Sequence, residues 1–243
     1  MKVLILGHKG MLGHMVYKYL STKGDCKVVT TDLRWPTREF KDFVTDFWWS
    51  ENGGYIINCI GAIHQRTNDF DVNVDLPIWL DENIGCYIIH PGTDCEIDDD
   101  DYGNSKRKAA EYILEDGRMT KIIKTSIIGP ELNTEASLLE WFLNVEDDSI
   151  GGYSECYWNG NTTLQWAKVA YDMMSNWDNY KDLNIPATEC ISKYELLNIM
   201  KDVYGKDVEI NKNDSLKIDK CLVPTIETPN IKIQLEEIKE FNK

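Results

Sequence analysis

Three glycines stand at GxxGxxG spacing in Gly7-His8-Lys9-Gly10-Met11-Leu12-Gly13. Glycine at such positions permits a tight turn, lets the backbone approach a pyrophosphate closely, and lets the following helix pack on the preceding strand. The N–H groups and partial positive charge at that helix start then hold the phosphates. No Gly-Lys-Ser/Thr triplet follows, so the stretch reads as a dinucleotide cradle and not a triphosphate loop. Asp32, nineteen residues beyond Gly13, stands where an acid bonds the adenosine ribose hydroxyls. Asp32 disfavours a 2′-phosphate, whereas Lys9 and Arg34 can accept one. The balance prefers NADP(H) and leaves NAD(H) open.

A second constellation could transfer a proton. Tyr102 and Lys106 are four residues apart, which places both on one face of a helix. A free tyrosine titrates near ~10, and bringing it to 7 costs about 4 kcal/mol. One cation at ~4 Å in an effective dielectric of ~20 supplies about that much. Lys106 is therefore expected to activate Tyr102 as an acid for carbonyl reduction, with the neighbouring acidic residues working against it. Thr93, nine residues before Tyr102, could bond the same carbonyl oxygen. The chain holds one other pair of this spacing, Tyr19 and Lys23. That pair falls late in the first helix, away from any ligand edge, and reads as packing.

The elements that must position these groups follow from the apolar pattern. Strands are expected at Lys2–Leu6, Cys26–Thr31, Tyr55–Ile60, Cys86–His90 and Lys121–Lys124. Helices are expected at Met11–Lys23, Asp71–Asn83 and Tyr102–Glu115. Continuous apolar strands alternating with helices imply a parallel sheet covered on both faces. The expected fold is α/β, a doubly wound parallel sheet of Rossmann type, with a smaller C-terminal substrate-binding lobe. Residues 1–130 would form the dinucleotide-binding domain and 131–243 the lobe, with interleaving at the boundary. In the lobe, helical patterns at Ala136–Val145, Thr163–Trp177 and Lys193–Tyr204 are separated by polar, aromatic-rich loops. Only a weak strand–helix pattern is visible beyond about residue 210. The charge run Glu96, Asp98, Asp99, Asp100 and Asp101 reads as a solvated surface loop.

Composition narrows the partners. The 243 residues are 42% hydrophobic and 28% charged, enough to bury a core. With 26 Lys and Arg against 41 Asp and Glu, the formal charge of −15 argues against nucleic acid and anionic membranes. No stretch approaches the ~20 apolar residues of a membrane span. The run Met1–Leu6 is too short for a secretory signal. Seven scattered cysteines without a CxxC pair fit free thiols in a reducing, cytoplasmic compartment better than a disulfide framework. The histidines at 8, 14, 64 and 90 form no metal-ligand spacing, so no metal is expected.

The cradle, Asp32, Asn58-Cys59-Ile60-Gly61-Ala62, Thr93-Asp94 and Tyr102…Lys106 occur in this order, and the chain resembles the extended short-chain dehydrogenase/reductases. Within them it is similar to the dTDP-4-dehydrorhamnose reductase family. The segments 73–77 (NVDLP), 125–132 (TSIIGPEL), 158–163 (WNGNTT) and 191–197 (ISKYELL) extend the resemblance over roughly residues 1 to 210. It implies reduction of a 4-keto group on a nucleotide-linked 6-deoxysugar, with hydride from a nicotinamide to C4 and the proton from Tyr102. Lys106 would also hold the nicotinamide ribose, and Cys59, Gly61 and Ala62 would line the cofactor. Trp158, Asn159 and Thr162 become candidates for substrate contact. A homo-oligomer stays open.

Two departures bear on this. The family carries a longer, glycine-containing loop before the tyrosine, whereas Cys95 to Asp101 is short and acidic, which is expected to open the site. Cys95 and Glu131 fall near places where the related GDP-fucose synthases carry a Cys and a His. A thiol and a carboxyl there could exchange a proton next to the ketone, so a bifunctional 3- or 5-epimerase/4-reductase is an alternative. Another is a non-catalytic, cofactor-binding regulatory subunit.

Overall fold

In a computed structural model of the chain, residues 1–49, 54–116, 118–132, 135 and 137–243 are described. β1 (Lys2–Leu6) leads into α1 (Met11–Ser21), β2 (Lys27–Thr30), α2 (Arg38–Trp49), β3 (Tyr55–Asn58) and α3 (Val72–Asn83). There follow β4 (Tyr87–Gly92), a short 3₁₀ turn (Asp94–Ile97), α4 (Asp101–Asp116), β5 (Thr120–Lys124) and β6 (Ile127–Ile128). The chain continues through α5 (Leu138–Asn144), β7 (Ser149–Trp158), β8 (Asn161–Thr162), α6 (Thr163–Ser175), β9 (Leu183–Asn184) and β10 (Pro186–Ala187). It ends with β11 (Ile191–Ser192), α7 (Lys193–Tyr204), β12 (Glu209–Asp219), β13 (Ile226–Glu227) and α8 (Ile231–Phe241).

The main sheet runs β2-β1-β3-β4-β5-β9, parallel throughout. The period of two in β1 shows why its sequence is an unbroken apolar run. Val3 and Ile5 pack with Ile57, Ile89 and Ile123 against Leu12 and Val16 of α1 and Trp166 of α6. Leu4 and Leu6 face the other way, with Ile56 and Ile88, onto Phe40 and Val44 of α2 and Leu76 and Leu80 of α3. Both faces are thus covered, as a doubly wound sheet requires. From β1 the chain steps outward to β2 and then returns past β1 to β3. That reversal opens a crevice at the carboxyl ends of β1 and β3, where α/β folds bind ligands.

The C-terminal part supplies two things. It returns α6 and β9 to the main sheet, and it builds a second core around Phe142, Trp158, Leu197, Met200, Ile210 and Leu235. The lobe's own sheet is β11-β7-β12. One of the stretches read as a polar, aromatic-rich loop contains the long strand β7, which is a correction, while β12 and α8 fall in the tail where a weak strand–helix pattern was expected. In β7 the apolar residues alternate, Ile150, Cys156 and Trp158 pointing inward, but glycine and serine dilute the pattern. In β12 only Ile210 is buried, so the strand carries almost no apolar signal. α2 also lies where no element was expected. The helix expected from Ala136 is α5, beginning at Leu138; Ala136 itself lies outside the described residues.

A second correction concerns the cysteines. Cys190 and Cys221 form a disulfide with Cα atoms 5.9 Å apart, tying the segment after β12 to the residue before β11. Cys26, Cys59, Cys86, Cys95 and Cys156 are free thiols. A separation of 31 residues gives no local sign of such a pair; only the antiparallel pairing of β11 with β7 and the parallel pairing of β12 with β7 bring the two together. Among the described residues no helix is long and apolar enough to cross a membrane.

Candidate active site

The glycine cradle closes on itself by contacts that exclude side chains. Gly7 has φ +78°, and Gly10 N–H donates to its carbonyl at 3.0 Å. A Cβ on Gly13 would stand 2.2 Å from that same Gly7 oxygen. The turn therefore presents the first N–H groups of α1 to the crevice beside Cys59, Ile60 and Gly61 at the end of β3. Here the chain fits the dinucleotide expected from its sequence: backbone packs on backbone at Gly7 and Gly13, so the turn stays tight and bare of side chains at a helix start. Asn73 fastens the facing loop, accepting from Ala62 N–H at 2.8 Å, donating to Ala62 O at 3.0 Å and reaching Ser105 of α4 at 3.1 Å. Lys9 and Asp32 form an exposed ion pair at 2.6 Å, and the lysine holds the Asp32 carboxyl below its usual range. Arg34 lies exposed beyond them.

Along the same crevice runs a cavity of about 570 Å³. It is of the size that takes a small-molecule ligand and cofactor. Gly10, Met11, Leu12, Cys59 and Gly61 line it at the glycine turn; Thr93, Cys95, Tyr102, Lys106, Glu131 and Trp158 line the rest. Residues as far apart in sequence as Gly10 and Lys220 thus converge on one space. The structure does not bring Asn159 and Thr162 there, which corrects the expectation. Asn159 is buried and clamps Leu222 through both its amide groups, at 2.8 and 2.9 Å. Thr162 caps α6, accepting from Gln165 N–H, while its own N–H donates to Gln234 at 2.8 Å. A second hollow, of about 480 Å³ beside Tyr180 and Thr225, gathers no comparable set of groups.

Tyr102 and Lys106 do stand at the cavity, but not as phenol and activating amine. Lys106 is buried at the cavity wall, 7% exposed, and donates to Pro91 O at 2.7 Å. Burial lowers it to about 8, and Glu96 pulls it partly back up. Tyr102 is pushed up to about 12 by burial and by Cys95, while a hydrogen bond with Thr93 works in the opposite direction. The expected lowering by Lys106 is not among its influences; burial, Cys95, Asp94 and Glu96 all push the phenol up. Such a phenol stays protonated at neutral pH. It is suited to giving a proton to a developing alkoxide, and poorly suited to taking one as a base.

The acidic run is also corrected. Glu96 is buried and pairs with Lys124 at 2.7 Å; Asp98 pairs with Lys220; Asp100 accepts from Gly103 N–H at 2.6 Å. Asp100 also meets His64, whose ring packs against Phe70 and Tyr102 at centroid distances of 5.0 and 5.3 Å. Only part of the run is solvated, because opposite charges from three other segments converge on it.

Several cavity residues carried no signal in the sequence. Arg66 pairs with Glu131 at 3.4 Å, and Lys193 and Lys220 face the same space. Lys220 Nζ donates to Cys95 Sγ at 3.5 Å and to Asp98. Of these, only Lys193 sits in a stretch, 191–197, that the family resemblance had marked. Arg66, Lys106, Lys193 and Lys220 line the cavity together with Asp94, Asp98, Asp100 and Glu131.

No family model matches the chain, and no curated protein matches it in sequence. Solved structures match it in fold. A dTDP-4-dehydrorhamnose reductase of Clostridium acetobutylicum superposes with a TM-score of 0.74 at 18% identity, over 100% of this chain and 99% of that one. The dTDP-4-dehydrorhamnose reductase of Bacillus anthracis, in complex with NADP, gives 0.78 at 12% identity, over 100% and 99%. A GDP-mannoheptose C4 reductase of Campylobacter jejuni with NADP bound gives 0.69 at 15% identity, over 99% and 98%. At these identities the likeness is one of fold.

Proposed function

We propose that this chain is an NADP(H)-dependent reductase of a 4-keto group on a nucleotide-linked deoxysugar. One observation carries the reading: a tight glycine turn at the start of α1 borders, through Gly10, the same cavity as Thr93, Tyr102 and Lys106. The likeness in fold to reductases of nucleotide-linked sugars supports it. A bound reduced nicotinamide would supply the hydride. The chain's part is to orient the carbonyl through the Thr93 hydroxyl, to give the proton from the Tyr102 phenol, and to hold the cofactor's ribose with the Lys106 ammonium. Lys193 would offset part of the charge of a diphosphate, Arg66 and Lys220 being already paired with Glu131 and Asp98, and Trp158 would cover the sugar. Consumption of NADPH absorbance with dTDP- or UDP-4-keto-6-deoxyhexoses tests the reading. Tight NADPH binding with no turnover on any keto sugar would replace it with the non-catalytic one.

The pKa pattern favours reduction without epimerisation. Burial and Asp94 push the Cys95 thiol up to about 11, so it holds its proton at neutral pH and is a poor base. The Glu131 carboxylate is already engaged by Arg66 and by Ser137 N–H.

Two expected results follow from the cofactor end. Tyr102 keeps its proton to about 12, so the alkaline limit of activity belongs to Lys106, which loses its charge near 8. Below that pH the ammonium is present, and above it the ribose loses its donor. NADPH affinity and kcat/KM are expected to fall together as pH rises through about 8, and to stay flat from 6 to 7; a limb near 10 would contradict this. Lys9 is the cation that faces Asp32 at the ribose position. Lys9→Ala is expected to narrow a preference for NADPH over NADH by up to roughly fivefold, as for an exposed pair, measured by fluorescence titration.

A further inference from the structure

We propose that Glu96 is a positioning residue of the active site: its buried carboxylate fixes Thr93 by the main chain and supplies a negative charge to the Lys106 ammonium. The two carboxylate oxygens are used separately. Oε1 accepts from Thr93 N–H at 2.9 Å, closing a capping box in which the Thr93 hydroxyl accepts in return from the turn. Oε2 takes the Lys124 ammonium at 2.7 Å, and the Glu96 side chain is only 6% exposed. Arg107 holds the same residue's carbonyl at 2.8 Å. Room for this carboxylate is made by Gly92, where a Cβ would stand 2.8 Å from Glu96 Oε1 and 3.0 Å from the Lys124 side chain.

The end of β4 is therefore built around the carboxylate. A short turn would otherwise leave Thr93 N–H without a partner at the cavity wall, and buried donors are seldom left so. The charge matters as well as the bond. Lys106 Nζ donates to Pro91 O at 2.7 Å, two residues before the Thr93 N–H that the carboxylate holds, so amine and carboxylate grip the same end of β4. The other titratable groups there are Asp94 of the turn, His90 of β4, Tyr102 of its own helix, and Lys124 of β5, which pairs with Glu96. His90 is buried and held well below its usual value, partly by Lys106, so it carries no charge at neutral pH. On α3, Glu82 and Asp81 are taken up by Tyr112, and by Thr120 and Arg118. Glu96 opposes the desolvation that works on Lys106.

The inference rests on the reductase reading for what Thr93 and Lys106 do, but its test does not need turnover. Lysine labelled with ¹³C at Cε, with the Lys106 resonance assigned through Lys106→Arg, reports the amine directly. Glu96→Gln keeps an acceptor for Thr93 N–H and removes the charge. The Lys106 titration is expected near 8 in the parent chain and about one unit lower in Glu96→Gln, the usual scale for a lost opposite charge nearby. The alkaline limb of NADPH binding should move down with it. If Glu96→Gln fails to fold because Lys124 is left unpaired, Lys124→Met leaves the Glu96 carboxylate charged and without its lysine partner and should move the Lys106 midpoint up; an unmoved midpoint there overturns the proposal as well. Equal Lys106 midpoints in parent and variant overturn the proposal. A chain that binds no NADPH at any pH overturns the reductase reading while the Lys106 titration still decides on Glu96.

Discussion

Tyr102→Phe is expected to lower kcat for keto-sugar reduction by roughly 10²- to 10⁴-fold, the usual contribution of a positioned general acid. NADPH affinity should change little, since the phenol is not part of the glycine cradle. The physical basis is the environment of the hydroxyl. It lies in a cavity with Thr93 beside it, and burial holds its proton in place to about 12. A proton so held leaves only when a stronger base appears next to it, as an alkoxide does when a carbonyl takes up hydride. Removing the hydroxyl leaves the Phe70 and His64 ring contacts at 5.8 and 5.3 Å available to the phenyl ring, so the variant should fold as the parent does. Steady-state kinetics at pH 7 with a dTDP- or UDP-linked 4-keto sugar measures the loss. Equal rates in the two proteins would remove Tyr102 from the chemistry.

The second large effect concerns the cradle. In Gly13→Ala the new methyl would stand 2.2 Å from the Gly7 carbonyl oxygen and 2.8 Å from its carbon. Both are backbone atoms in a turn whose first residue already has φ +78°, so neither a rotamer change nor a small side-chain shift relieves the contact. Overpacking of this kind costs about 1–3 kcal/mol or more. The turn and the start of α1 must move apart, and with them the N–H groups that would hold the pyrophosphate. NADPH binding is expected to weaken about 10- to 100-fold, at roughly 1.4 kcal/mol per tenfold, with a lower Tm. Gly24→Ala is the control, because a Cβ there meets nothing within 4 Å. Unchanged NADPH affinity in Gly13→Ala would mean that the dinucleotide does not sit on this turn.

Much of the first half could be read from the chain because its signals are local. β1 is an apolar run followed at once by glycines and a helix, and the spacing of Tyr102 and Lys106 holds on any helix. α2 was equally readable: Phe40, Phe43, Val44 and Phe47 recur at helical spacing between charged residues, and they cover the sheet face that Leu4 and Leu6 present. β12 was not readable. Ten of its eleven residues lie outside the core, and it is a strand because β7 pairs with it.

By itself, then, the sequence determined the alternation of strand and helix, the glycine turn and the types of residue that could move a proton. It did so because each rests on contacts between residues a few positions apart. Which charges meet was left to the tertiary structure. Glu96 became buried and met Lys124, Lys220 crossed from the end of β12 to Asp98, and Cys190 met Cys221, through chain crossings that no local pattern encodes. The state of Tyr102 and Lys106 was decided there too. Spacing places a phenol near an amine, but the free energy of each ionised form is set by how much water the folded chain removes from it, and that depends on every segment packed around the site.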